Sequence, residues 1–426
     1  MKKYIALILV LAALALTACQ LQPASGGETS DTAQTAPVTS GDEPVITVDM
    51  SVFDYEFMKF IESTTEDSYM ISPLSFRYAL GMLLLGARGT TLKELQDGLG
   101  VTSTEDFESY IRYFNSFADN FNDKVRSDKE AYDRLSDGEK EYHNVPAGVI
   151  RVADSVWKRD DLPEFLQSFT DGLGLYGAEH RDFNERNVIP EVNKWVNEKT
   201  EGMIPRLLQD GYDVTDLAVI LMNALYFKDG WANAFSSAGR RPFYCSDGTE
   251  TEKEFIGSRE GYGYYKDGDT ELVAVTMNNG VEMVFVLGGA DGLEEKLGKA
   301  ERQEVEVIIP KFELETSLDD KELLNFLKKC GVSEAFDQEK ADFSGMFDPS
   351  KERVWVDDII QKTKIKLDET GVEAAAVTAI MMKDEAAVEI KEPVRFVADR
   401  PFRFFIRTAS DKNGGSVTLF EGRLVK

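Results

Sequence analysis

The segment from residue 362 to residue 379 constrains this chain most, because a strand pattern runs directly into a series of small side chains. Thr363, Ile365 and Leu367 alternate with lysines, which is typical of a half-buried strand. Gly371 and the alanines at 374–376 follow. Such a segment fits an exposed loop in one state and an additional strand in another. The alternative is a surface loop that leads into a helix, since alanine is the best helix former.

A second pattern, at residues 70–92, predicts a helix that is buried on most sides, with a turn after it. Ser72 is a good N-cap and Pro73 suits the first helical position. Leucines and small residues then occur all around the helix instead of on one face. We therefore expect this helix to lie in the interior of the fold.

Further motifs follow along the chain. Val192, Trp195 and Val196 share one face of a predicted helix that ends near Gly202. In order, spacing and coverage, the motifs of residues 50–426 resemble those of the serpin family. Those that carry the resemblance, besides the segments above, are the stretches 223–231, 341–346, 400–407 and 419–423.

The resemblance implies an α+β fold, a single domain at residues 45–426 with three β-sheets, surrounding helices and an exposed reactive loop at about 369–395. The mixture of helical and strand patterns without regular βαβ alternation fits this class. The function implied is suicide-type inhibition of serine proteases by a chain that is not an enzyme and needs no cofactor. A protease forms its acyl-enzyme on the loop, the cut loop inserts into the main sheet, and the protease is distorted before it can deacylate. We expect a monomer.

The hinge of the loop passes the chemical requirements for insertion. An inserted strand needs backbone donors and uncharged inward side chains, and no proline occurs between Gly371 and Glu392. In the family register the inward positions are Val372, Ala374, Ala376, Thr378, Ile380 and Met382. A non-inhibitory surface binding protein of the same fold is the alternative function, and a charged or proline-rich hinge would favour it. The hinge comprises Glu369, Gly371, Val372, Glu373, Ala374, Ala375 and Ala376.

Two positions depart from the family pattern. Val372 replaces the usual Thr or Ser at the first inward position, and it is still apolar and favours strands. Gln361 stands where a His often helps to lock the main sheet, and an amide can keep the network without titrating. Its expected partners are Ser72, Ser75 and Asn223, and Glu369 is expected to pair with Lys311. The implied sheet-opening region is Ser72, Ser75, Asn223, Trp231, Lys311 and Gln361.

The reactive bond follows from two counts that disagree. The count from Glu369 places it at Glu385–Ala386, whereas the count back from the motif at 400–402 places it near Val388–Glu389. We prefer the hinge count and place the extra residues at 387–391, because residues after the cut cost little. Ala386–Ala387 and Met382–Lys383 remain alternatives. The small apolar side chains here favour an elastase-like serine protease, although a pocket that prefers Glu fits the hinge count.

The N-terminus has the pattern of an exported lipoprotein. Lys2 and Lys3 precede a short apolar run, and residues 16–19 resemble a bacterial lipobox. We expect residues 1–18 to be a signal peptide and Cys19 to carry lipid at the cell surface or membrane. The alternative is an ordinary secretory signal. Residues 19–44 are a flexible tether with a root-mean-square reach of about 30 Å.

Charge and composition exclude other classes. A net charge of −28 argues against nucleic-acid partners and polyanion activation, and it serves solubility. The three cysteines do not suggest a disulfide framework, and Cys330 is expected to be a buried thiol. The two histidines, His143 and His180, lie in no metal-ligand spacing and there is no nucleophile-elbow motif, so neither a metal site nor a hydrolase is predicted.

Overall fold

The computed structural model describes residues 50–140, 145–214, 217–318, 322–348, 353–356, 359–372, 393–410 and 415–426. They belong to one compact unit, Glu43–Lys426. The helices are α1 Ser51–Thr64, α2 Pro73–Gly86, α3 Gly89–Leu99, α4 Thr104–Asp133, α5 Asp137–Lys140, α6 Gln167–Leu173, α7 Val188–Lys199, α8 Leu293–Gly298 and α9 Glu322–Lys329. Within these residues, no helix is long and apolar enough to cross a membrane.

Strands alternate irregularly with the helices along the chain. They are β1 Tyr69–Ile71, β2 Gly148–Arg159, β3 Glu179–Phe183, β4 Val219–Gly230, β5 Ser236–Tyr244, β6 Glu250–Asp267, β7 Thr270–Thr276, β8 Val281–Leu287, β9 Glu301–Pro310, β10 Phe312–Leu318, β11 Gln361–Asp368, β12 Gly371–Val372, β13 Val394–Val397, β14 Phe402–Thr408 and β15 Thr418–Leu424. The mixture of helices and mainly antiparallel strands confirms the α+β class.

Hydrogen bonding groups the described strands into two sheets, where three were expected. One sheet has nine strands in the order β1-β15-β14-β8-β7-β6-β9-β13, with β5 paired to β6. The other has six, in the order β10-β11-β12-β4-β2-β3. The difference arises at β6, whose 18 residues pair first with β5 and β9 and then with β7. One long strand thus joins two parts that would otherwise count separately.

Helix α2 lies at the centre of the fold, as its sequence predicts. Ser72 Oγ accepts a hydrogen bond of 3.1 Å from the Ser75 amide, and Pro73 begins the helix. Twelve of its 14 residues are buried. Gly81 is required by packing, since a Cβ there would lie 2.5 Å from Tyr176 Oη. The helix packs against β4 and β2 of the six-stranded sheet.

Helix α4 combines a buried and a solvated half. Phe107, Ile111, Phe114, Ala118 and Phe121 are buried, whereas none of the residues from 122 to 133 is. This solvated end agrees with the polar composition of residues 122–146. The cysteines differ slightly from expectation: Cys245 and Cys330 are free, but Cys330, directly after α9, is only half-buried. Burial still raises the pKa of its thiol.

Candidate functional site: the hinge seat

The first hinge residues occupy a place inside the six-stranded sheet. Strand β12 pairs antiparallel with β11 on one side, with Val372 opposite Leu367. On its other side it pairs with β4, with Val372 opposite Asp229 and Gly371 opposite Gly230. We call this place, formed by residues 229–230, 367–368 and 371–372, the hinge seat. It shows that chain following β11 can pair between β11 and β4.

A tight turn brings the chain back into the seat. Asp368 Oδ1 accepts hydrogen bonds from the Thr370 amide at 2.8 Å and from its hydroxyl at 2.6 Å. Side chains of this type stabilise turns by bonding the backbone two residues on. Gly371 follows with φ of 145°, and a Cβ there would lie 2.3 Å from the Asp229 carbonyl oxygen. Only glycine fits so close to the neighbouring strand.

Val372 points into the core of the protein. It is 4% exposed and lies opposite Leu367, which is also buried. Val372 lines a small cavity whose empty volume of about 350 Å³ includes open solvent. The cavity lies between Leu225 and Phe227 of β4 and Ile365 of β11, beneath Met203 and Ile204. Val372 is therefore in the inward orientation that the family register assigns to it.

A larger apolar cleft continues toward the start of both strands. It has an empty volume of about 1120 Å³, which includes open solvent. Its walls come from β4, from α2 and α7, and from the segment that leads into β11. The lining residues include Leu83, Val192, Leu221, Asn223, Val356 and Ile360. Uncharged side chains that entered between these elements would meet an apolar surface.

Trp231 anchors the turn from the side of β4. Its indole Nε1 donates to the Asp368 carbonyl at 2.9 Å, and its amide donates to the Thr370 carbonyl at 3.0 Å. The Phe235 amide donates to the Glu369 carbonyl at 3.0 Å, and the two aromatic rings lie 5.0 Å apart. Consecutive carbonyls of the turn are thus satisfied by one aromatic pair.

Lys311 holds the same turn through its charge. Its ammonium lies 2.6 Å from Glu254 and 3.2 Å from Glu369, so the expected contact with Glu369 is present. The hydrogen bond to Glu254 is the largest cause that raises the pKa of Lys311; burial opposes it, and the hydrogen bond to Glu369 adds to the rise. Both carboxylates are partly exposed, so the pairs add little to stability. Their effect is to position the turn.

Asp229, which forms part of the hinge seat, was not predicted from the sequence. It is fully buried, and its Oδ1 accepts from Asn279 Nδ2 at 2.8 Å and from the Gly230 amide at 2.9 Å. Burial raises the pKa of this carboxyl to about 7, although these donors act in the opposite direction. Lys124 of α4 reaches Asn279 Oδ1 at 3.0 Å. The sequence signal was an acidic residue near the end of a mostly apolar strand.

The predicted sheet-locking network is present in part. Gln361 Oε1 accepts from the Ser72 amide and its Nε2 donates to the Ser72 carbonyl, both at 2.9 Å. Ser72 Oγ donates to the Leu419 carbonyl at 2.7 Å, and the Ser75 amide contacts Gln361 only through Ser72. Asn223, expected as a third partner, instead donates to Asp154 Oδ1 at 2.8 Å. Asp154 lies directly opposite Asn223 on β2, which explains the exchange.

Several predicted residues lie outside the described part of the chain. These are Cys19, His143, Glu373, Ala374, Ala375, Ala376, Glu385 and Ala386. Of the two histidines, His180 is described and lies exposed on β3. Among the described residues, no group of His, Cys, Asp or Glu is arranged to hold a metal ion.

Comparisons with known proteins agree with one another. Residues 50–426 match the profile of the family described as Serpin (serine protease inhibitor). Mouse Serpin B10 is 30% identical over 410 residues, which cover 89% of this chain and 98% of that protein. Horse leukocyte elastase inhibitor is 32% identical over 86% of this chain and 95% of its own length. The crystal structure of Serpin48 from Tenebrio molitor superposes with a TM-score of 0.68 at 25% identity, covering 88% of this chain and 96% of that one.

Proposed function

Because the chain belongs to the serpin family, we propose that it is a suicide-type inhibitor of serine proteases whose cleaved reactive loop inserts between β11 and β4. The observation that supports this most is the hinge seat, where Gly371 and Val372 already pair with both strands. Insertion would continue an arrangement that the protein has begun. The apolar cleft along β4 provides the surface that the following inward side chains would contact.

The mechanism follows from the chemistry of the seat. When the protease serine attacks the reactive bond, it forms an ester with the new carbonyl end of the loop and the chain after the cut leaves as the amine. The segment after Val372 is then joined to the protease and is no longer held at its far end by the rest of the inhibitor. Each residue that enters gains backbone hydrogen bonds to two strands, and every second residue buries its uncharged inward side chain. The protease travels with the loop and is deformed before water can release it. The inhibitor is consumed, so the outcome is a kinetic trap and not a catalytic cycle.

We propose an elastase-like protease as the target. The proposal rests on the small apolar side chains near the reactive bond, which suit a small primary pocket. A relative at 32% identity is named leukocyte elastase inhibitor, which is consistent with this class of target. Glu385 before the proposed cut would instead favour a pocket that accepts an acidic side chain, so both types belong in the test.

The experiment is to incubate the protein with elastase-like, Glu-preferring and trypsin-like serine proteases. We expect a complex with the first or second type that resists denaturing electrophoresis. The released C-terminal peptide should begin at Ala386 or one residue to either side. A peptide that begins at Glu389 or later would move the reactive bond to the second count. Rapid cleavage without any stable complex would contradict inhibition and favour a non-inhibitory binding protein.

We also propose that the protein is exported as a lipoprotein held at the membrane through Cys19. The lipobox-like residues 16–19 support the anchor, and the polar residues up to 44 support a tether. Such an arrangement would present the inhibitor to proteases outside the cell while keeping it at the surface.

A further inference from the structure

Two buried acceptor atoms on neighbouring residues of β2 and β4 have no donor. Asp154 and Asn223 are directly opposite in the strand register. Asn223 Nδ2 donates to Asp154 Oδ1 at 2.8 Å. Asp154 Oδ2 and Asn223 Oδ1 are both buried, and neither has a hydrogen-bond partner. Buried polar atoms are rarely left in this state, because each costs roughly 1–3 kcal/mol.

A single proton would satisfy both atoms. A carboxylic acid and a primary amide can form a ring of two hydrogen bonds, in which each group donates once and accepts once. Here Asn223 already supplies the first bond. If Asp154 Oδ2 carries a proton, it donates to Asn223 Oδ1 and completes the ring. If Asp154 were ionised, its Oδ2 and Asn223 Oδ1 would remain two buried acceptors without a donor.

The surroundings favour the neutral acid. Asp154 is 2% exposed, and burial raises the pKa of its carboxyl to about 8, against the opposing effect of the Asn223 hydrogen bond. The titratable groups that interact with it are Tyr78 on α2 and Tyr176 after α6. Burial raises the pKa of both phenols far above 10, so neither supplies a positive charge or a base.

We propose that Asp154 is protonated in the native protein and forms a cyclic acid–amide pair with Asn223 that joins β2 to β4. The pair forms only when Asp154 is protonated. It includes a residue of β4, and the other edge of β4 pairs with β12 in the hinge seat. Asn223 also lines the apolar cleft beside β4. The pair can exist whether or not the proposed function is correct. Only an effect of the pair on loop insertion would rest on the proposed function.

The sign of the pH effect follows from the direction of the shift. The folded protein holds the Asp154 proton up to about pH 8, whereas an unfolded aspartate loses it at about pH 4. The contribution of this group to stability therefore falls as the pH rises through that window, and above it the buried charge is fully expressed. Loss of the proton would weaken the connection between β2 and β4.

The test uses Asp154→Asn, which replaces the acid donor by an amide donor of the same shape. Because the variant does not titrate here, we expect its melting temperature to rise by several degrees relative to that of the wild type between about pH 5 and about pH 9. Asp210→Asn, at an exposed carboxylate, is the matched control and should leave the pH dependence unchanged. Asp229, Glu282 and Glu421 are also buried acids with raised pKa, so only the difference between variant and wild type is diagnostic.

Infrared spectroscopy gives a direct second readout. The wild type at neutral pH should show the C=O stretching band of a hydrogen-bonded carboxylic acid that disappears in Asp154→Asn. An identical band in both proteins, or equal sensitivity of both to alkali, would overturn the proposal. If the variant does not fold, an infrared titration of the wild type still decides: absence of any protonated carboxyl at neutral pH excludes the acid–amide pair. Neither measurement depends on inhibition of a protease.

Discussion

At the scale of single residues, Gln361 connects strand β11 of the six-stranded sheet to the N-terminus of helix α2. Its amide satisfies both the N–H and the C=O of Ser72. We expect Gln361→Ala to lower the free energy of unfolding by about 1–3 kcal/mol, because the buried Ser72 N–H loses its acceptor, whereas the Ser72 carbonyl keeps the Phe76 amide as a donor. Denaturant unfolding measures this loss. Lys366→Ala, at an exposed position on the same strand, is the control and should change little. Equal effects of the two substitutions would mean that water replaces the Gln361 amide.

Some contacts of single residues could be predicted from the sequence alone, and others could not. Ser72, Pro73 and Gln361 were predictable, because caps and a known sheet position place them without knowledge of register. The exchange of partners at Asn223 was not, since it depends on which β2 residue stands opposite. Asp229 was missed for a related reason: its donors Asn279 and Gly230 come together only when the turn between β7 and β8 reaches the end of β4. Strand alignment, and not residue type, decides these contacts.

At the scale of elements, strand β12 is where the proposed insertion would begin, and a substitution of Val372 tests this. We expect Val372→Glu to turn the inhibitor into a substrate: the loop is cut at a similar rate, but stable complex falls at least about 10-fold. A carboxylate in the seat would be buried opposite Asp229, at a cost of several kcal/mol. An arginine is a weaker test, because Asp229 would offer it a partner.

The measurement is the number of inhibitor molecules consumed per protease trapped, together with denaturing gels. Val372→Thr is the matched control, since it keeps the branched shape and should retain most of the trapping. Full trapping by Val372→Glu would show that the hinge need not stay in the sheet.

The element pattern itself was largely predictable from alternation in β11 and the buried pattern of α2. The number of sheets was not, because it depends on how far β6 continues past its first partners.

At the scale of the whole molecule, the proposed lipid anchor at Cys19 would determine where the protein acts. We expect the mature chain to begin at Cys19, to carry lipid, and to partition with membranes. Cys19→Ala should release the protein or leave its signal uncut, because no thiol remains to be acylated. Membrane fractionation and mass measurement of the N-terminus check this. A mature N-terminus without lipid at another residue would instead indicate an ordinary secretory signal.

The proposed mechanism also requires the intact and the cleaved protein to differ in stability, and the melting temperature measures this difference. In the intact protein, Gly371 and Val372 are the residues of the described chain that pair between β11 and β4. After the reactive loop is cut, the inserted segment would add backbone hydrogen bonds along both strands and cover the apolar cleft of β4. We therefore expect the cleaved wild type to melt higher than the intact protein by about 10 °C or more, measured by calorimetry. Cleaved Val372→Glu is the control: the same bond is broken, but the charged hinge keeps the segment out, so its melting temperature should stay near that of its intact form. If cleavage leaves the wild type unchanged as well, the loop does not enter the sheet, and a surface binding role becomes the better account of this fold.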